Sequence, residues 1–254
     1  GDEVFAGYPT YFARKLVKWI PRWLYPIMKY SVNKLPVNDD NISFDFKSKK
    51  FTFGLGYNSD IRHQYWLGSF TDSQKNTLYN KDIRYELNKK NLVEDLINNH
   101  MKNCDTENNW ERSLWSDMRF YLQDDMLVKV DRASMLNSLE VRIPFLDHIL
   151  VEFALRIPSA LKYKRKNSKY ILKKLGKRYL PKNIVNRDKK GFGIPIAKWI
   201  KKDLKDDFIE TLSAHQNLFN KGYIDSLFSS HINNKMDNRK LLWSLFIFLK
   251  WNQR

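Results

Sequence analysis

Two stretches of the chain set ionisable side chains at positions that a purely apolar core would not need. Tyr121-Leu122-Gln123-Asp124-Asp125-Met126-Leu127-Val128-Lys129-Val130-Asp131-Arg132-Ala133-Ser134-Met135 puts acids and bases on a helix whose other residues are apolar. Leu139-Glu140-Val141-Arg142-Ile143-Pro144-Phe145-Leu146-Asp147 follows, with Glu140 and Arg142 where a helix must end before Pro144. Such a constellation could arrange a charged substrate, or it could be a salt-bridge network that pins a helix end. Phe53-Gly54-Leu55-Gly56 and Gly191-Phe192-Gly193 let the backbone approach a ligand closely, but neither completes a phosphate-binding fingerprint.

Other chemistries find little support. Five histidines (His63, His100, His148, His215 and His231) are scattered without metal-ligand spacing, and the single cysteine, Cys104, rules out a disulfide framework or a multi-thiolate site. A lone cysteine points to a reducing compartment, so the expected location is the cytoplasm. The longest apolar run, Leu241–Leu249, is about half of the roughly 20 residues a membrane-spanning helix needs, and no signal-peptide pattern opens the chain.

The 254 residues carry a formal charge of +17, with 43% apolar and 15% aromatic residues, enough to fill a core. Fifteen basic residues and one acid between Phe153 and Ile200 account for +14 of that charge. A stripe of this kind is a polyanion-binding face, a site for a small phosphorylated ligand, or a solvated surface. A nucleic-acid module would bind mixed-sequence DNA or RNA with strong salt dependence.

The elements that must position these residues are mostly helical. Pro21 and Pro26 break the apolar stretch Tyr11–Tyr30 into short helices. Ser31–Tyr57 lacks a sustained apolar face and reads as a mobile connection, with Ile42–Phe53 the one moderate strand candidate. Thr71-Asp72-Ser73-Gln74 predicts a capping box, and Asn91-Leu92-Val93-Glu94 opens another helix. Asn109 to about Ser138 predicts the longest helix, with Leu114, Trp115, Met118, Tyr121, Leu122, Met126, Val130 and Met135 on a face that should be buried. Further helices are expected at Asp147–Leu155, Ser168–Tyr179, Ile196–Leu212 and Arg239–Asn252. The fold class is mainly α, without the alternating strands that build a parallel sheet.

YLQDDMLVKVDRASM, SLEVRIPFLDH and RDKKGFGIP, in that order, resemble the signature blocks of the synthetase domain of glutamine-hydrolysing asparagine synthetase. Gly1–Tyr8 (GDEVFAGY) is similar to the family's block just after the nucleotide-binding core, and Leu242–Trp251 resembles its closing helix. The resemblance covers the whole chain, residues 1–254. It implies the helical C-terminal portion of an adenine-nucleotide α-hydrolase-like (α/β) synthetase domain, with most of the parallel sheet missing from this chain. The family's N-terminal glutaminase, with its nucleophilic cysteine, and its Ser-Gly-Gly-x-Asp-Ser pyrophosphate loop are absent here. Because Gly1 falls inside a family block, the chain is expected to be the C-terminal part of a longer protein and catalytically incomplete alone.

The resemblance further implies that the aspartate side-chain carboxylate attacks the α-phosphorus of Mg-ATP, and that ammonia from glutamine displaces AMP to give asparagine. Lys189 occupies the family's catalytic lysine position, and Glu140, Asp131 and Arg132 are catalytic candidates beside it. Arg142, Lys190 and Gly191 are candidates for the nucleotide, and Asp2 for Mg²⁺, with Glu3 capping or orienting the same turn. This sequence departs from the pattern at Asp188 and Lys190, where many members have a proline and an uncharged residue. The implied cofactors are ATP and Mg²⁺; the implied partners are aspartate, ATP, ammonia and the missing glutaminase and nucleotide-binding part, while a homodimer stays open. The motifs narrow the basic stripe's partner from nucleic acid to ATP and leave Lys162–Lys182 as a solvated face. Related acyl-adenylate amidotransferases and macrocycle-forming ligases use the same fold, and a non-catalytic interaction fragment is the remaining alternative.

Overall fold

The computed structural model describes residues 1–40, 43–87, 93–165, 167–187, 193–214 and 218–252. Among these the architecture is mainly α, with isolated bridges (Tyr79 with Phe219, Lys164 with Asn167) as the β pairing. The chain divides into two compact units, Gly1–Trp19 with Asn99–Lys190, and Ile20–Asn98 with Gly191–Arg254.

In the first unit, helix Asp2–Phe5 ends at Ala6, which sits in the left-handed region (φ 60°) and is fully buried. Glycine is the usual residue there, and alanine costs about 1 kcal/mol in that conformation. Its methyl is part of a core with Tyr11, Trp110, Leu114 and Tyr163. Helix Pro9–Val17 packs against helix Asn109–Ser116, whose first amides are capped by Asn108 (Trp110 N to Oδ1, 3.0 Å). The predicted long helix is present but not uniform: Asn109–Ser116 is α-helical, Asp117–Leu127 is π-helical, and Val128–Met135 returns to α. Widening the hydrogen-bond register rotates every residue beyond it, so a face read at the α period loses its alignment. Leu114 is buried as expected. Trp115, Met118, Tyr121, Leu122, Met126 and Val130 are half-buried, and Met135 is exposed, which corrects the expectation of one buried stripe.

The second unit closes on itself. Helix Arg239–Asn252 buries Leu242, Leu245, Phe246 and Leu249 at helical spacing. Phe208 stacks between Phe228 (5.4 Å between centroids) and Phe246 (5.1 Å). Residues 43–54, expected as a strand within a loose connection, instead form helix Phe44–Gly54; Asn41 and Ile42 lie outside the described residues. Phe44, Phe46, Phe51 and Phe53 imitate alternation, but the local signal that prevails is Ser43, whose hydroxyl accepts the Phe46 amide as an N-cap. Trp66 of helix Ser59–Leu67 then stacks on Phe51 at 5.7 Å, and an added Cβ at Gly54 would lie 2.4 Å from its indole nitrogen. The capping box at Thr71–Gln74 and helix Arg239–Asn252 match their sequence readings. The Ile196–Leu212 helix is split, into Ile196–Lys201 and Lys205–Ala214.

Candidate functional site

The site residues of the first unit are organised around the turn that follows Asp2. Helix Asp2–Phe5 is only one turn long, and Gly7 donates its amide to the Asp2 carbonyl at 2.8 Å, folding the chain back over the Asp2 side chain. A Cβ on Gly7 would stand 1.7 Å from Asp2 Oδ1 and 2.5 Å from Lys169 Cε, so glycine leaves the space these two groups occupy. Asp2 Oδ1 meets Lys169 Nζ at 2.8 Å. Beside it, Glu3 is buried and accepts a short hydrogen bond from the Tyr8 hydroxyl. Burial, followed by the bond to Glu3, pushes the Tyr8 hydroxyl far above its ordinary ionisation range, so it stays a donor. Tyr11 donates to the fully buried Asp117 at 2.5 Å, anchoring helix Pro9–Val17 where the π-helical stretch begins.

Three of the sequence blocks meet here. Tyr121 lies edge-on to Tyr8 at 5.6 Å, and Phe145 lies edge-on to Phe5 at 6.2 Å. The blocks Gly1–Tyr8, Tyr121–Met135 and Leu139–Asp147 are thereby brought into contact through aromatic rings. The ionisable candidates of the latter two are elsewhere: Asp131 and Arg132 are exposed, and Glu140 pairs with Arg142 at 2.7 Å in an exposed position. Lys189, Lys190 and Gly191 lie outside the described residues.

Lys169 and Tyr8 were not singled out by sequence reasoning. Lys169 was hidden in the basic stripe, one cation among many, and only the fold pairs it with Asp2. Lys162 also leaves the expected solvated face: it is buried, and burial lowers its ammonium's pKa. Lys174, Lys177, Arg178 and Lys182 are exposed as expected.

The donor set does not make a magnesium site by itself. Mg²⁺ needs near-octahedral oxygen ligation. Asp2 is engaged with Lys169 and Glu3 with Tyr8, and no group of three or more potential metal ligands forms among the described residues.

These blocks mark a recognisable protein family. The chain matches the family model described as asparagine synthase over residues 1–253, and it belongs to that family. It is 29% identical over 188 residues to asparagine synthetase [glutamine-hydrolyzing] 1 of Bacillus subtilis (strain 168), covering 72% of this chain and 28% of the relative. It is 32% identical over 117 residues to asparagine synthetase [glutamine-hydrolyzing] 3 of the same organism, covering 42% of this chain and 19% of that one. Amidase chyE of Penicillium rubens (strain ATCC 28089 / DSM 1075 / NRRL 1951 / Wisconsin 54-1255) is 34% identical over 101 residues, 37% of this chain and 15% of the relative. The chain thus spans less than a third of the length of these curated relatives. No solved structure matches it. Among the described residues, no helix is long and apolar enough to cross a membrane.

Proposed function

We propose that this chain supplies part of the synthetase machinery of a cytoplasmic amidotransferase that makes asparagine from aspartate, ATP and glutamine-derived ammonia. The observation that carries the reading is the convergence of the Gly1–Tyr8, Tyr121–Met135 and Leu139–Asp147 blocks in one unit of a chain that belongs to the asparagine synthase family. A second feature supports it. Helix Val128–Met135 buries none of its residues, and Leu136, Ile149 and Phe153 are 86%, 68% and 61% exposed. Apolar surface on that scale suits a segment that rests on further protein, here the sheet-bearing part of the longer enzyme.

In this reading an aspartate carboxylate oxygen bonds to the α-phosphorus as the bond to pyrophosphate breaks. Ammonia then bonds to the acyl carbon as AMP leaves. Negative charge grows on the phosphoryl oxygens in the first step, so fixed cations supply the largest catalytic contribution. Lys189 is assigned to those oxygens, with Lys190 and the Gly191 backbone beside the phosphates. Asp131 and Glu140 keep the lysine charged and placed, and Arg132 and Arg142 orient the anionic substrates. Asp2, held by Lys169 in this chain, would serve the Mg²⁺ that arrives with ATP only together with phosphate oxygens and acids from the rest of the longer enzyme.

The test is pyrophosphate release by the full-length enzyme, which should require aspartate. Lys189→Ala should lower adenylate formation about 100- to 1,000-fold with the fold intact. A loss below tenfold would return Lys189 to the solvated stripe, and aspartate-independent release would overturn the reading. The likeness to a fungal amidase favours one second reading, another acyl-adenylate substrate on the same fold. A screen of carboxylate substrates separates the two.

A further inference from the structure

The second unit contains a cavity of 310 Å³ whose walls carry four lysines, Lys29, Lys49, Lys50 and Lys240. Three helices deliver them: Tyr25–Asn33, Phe44–Gly54 and Arg239–Asn252. One carboxylate, Asp237, reaches the wall, and it is already held by Arg239 Nε at 2.9 and 2.7 Å. Lys49 has Asp45 at 3.7 Å, but Lys50 and Lys240 have no carboxylate partner among the described residues.

What holds these two ammonium groups is backbone. Lys50 Nζ donates to the Gly68 carbonyl at 2.7 Å, and Lys240 Nζ donates to the Leu67 carbonyl at 2.9 Å. These are consecutive carbonyls at the C-terminal end of helix Ser59–Leu67, where the helix dipole is negative. The pair is therefore fixed side by side, each with one of its three N–H donors used and two left. Like charges so placed repel: burial, and after it Lys240, brings Lys50 down to about 7. Burial lowers Lys240 as well. An anion between them would supply the missing counter-charge and accept the spare donors.

We propose that this cavity binds a small oxyanion of phosphate type, with Lys50 and Lys240 as its direct ligands and Lys29 and Lys49 as supporting charge. Ser69 and Gln74 add polar groups to the wall, while Phe46, Phe53, Met236 and Leu241 form an apolar side that would accept the body of a phosphate monoester. The cavity lies wholly within one unit, and the proposal is independent of the acyl-adenylate chemistry assigned above.

Titration calorimetry of inorganic phosphate into the 254-residue chain, at pH 7 and with chloride matching the ionic strength, tests it. Saturable binding at one site is expected. The double variant Lys50→Met, Lys240→Met should weaken it at least tenfold, and Lys47→Met, on the same helix but exposed, less than twofold. Absence of saturable binding, unchanged affinity in the double variant, or an equal loss in Lys47→Met would overturn the site. If the double variant does not fold, acylation mapping of the unaltered chain decides. Phosphate should slow modification of Lys50 and leave Lys47 unaffected; equal effects on both, or none, refute the proposal. Phenyl phosphate binding more tightly than phosphate would identify a monoester as the ligand class, and equal binding would identify free phosphate, each in support of the site.

Discussion

Two arginine–carboxylate pairs of equal length show how differently the two units use the same chemistry. Arg142 Nε lies 2.7 Å from Glu140 in the first unit, with side chains 89% and 69% exposed. Arg239 Nε lies 2.7 Å from Asp237 in the second, with side chains 7% and 2% exposed. Around the buried pair, Arg239 also donates to the carbonyls of Asn38 (3.1 Å) and Asp40 (3.2 Å), clipping a loop to the start of helix Arg239–Asn252. Nothing comparable surrounds the exposed one. The same contrast holds for apolar residues: helix Arg239–Asn252 buries five side chains, Arg239 among them, whereas helix Val128–Met135 buries none. A close contact distance therefore says little about energetic weight; the surroundings decide it.

The largest expected effect belongs to the core of the second unit. Phe208→Ala, which empties a fully buried aromatic stack, should cost about 3–5 kcal/mol in denaturant unfolding, while Leu136→Ala should stay within about 0.5 kcal/mol. Similar losses at the two positions would erase the distinction. Next come the ion pairs. Arg239→Ala strands a buried carboxylate and should cost about 3 kcal/mol, against about 0.5 kcal/mol or less for Glu140→Ala. A large loss at Glu140 would reveal a structural role that its exposure does not suggest.

A pH dependence of stability follows from Lys50 in the second unit. Lys50 titrates near 7 in the folded chain and near 10.5 when unfolded. Between those values the unfolded state binds more protons, so this group makes stability rise with pH; below about 7 its cost is present in full. Urea unfolding followed from pH 7 to 10 should show a positive slope that Lys50→Met flattens. An unchanged slope in the variant would mean that Lys50 is better solvated than its position between helices implies.

Much of the secondary structure was legible. Thr71 with Gln74 announced a capping box because the hydroxyl and the amide satisfy each other's neighbouring backbone groups, and that signal is local. The helix expected at Asp147–Leu155 is present as His148–Arg156, and the structure adds that Asp147 caps it, accepting the Leu150 amide at 3.2 Å. The run of residues at Phe44–Phe53 misled because alternating phenylalanines look like a strand, and the packing of Trp66 and the room left at Gly54 are visible only in three dimensions. The π-helical segment escaped for a similar reason, since no residue type marks where a hydrogen-bond register widens.

For the candidate site, the sequence by itself determined the ordered blocks, and with them the family, because those residue strings are specific in type and spacing. It also determined the concentration of positive charge in Phe153–Ile200. Tertiary structure alone decided which of those charges act as individuals. Lys169 became the partner of Asp2 and Lys162 went under the surface, while Lys50 and Lys240, from helices nearly 200 residues apart in sequence, came to face one cavity. The reason is physical: an ionic interaction depends on distance and on the water excluded around it, and neither is written in the order of residues along the chain.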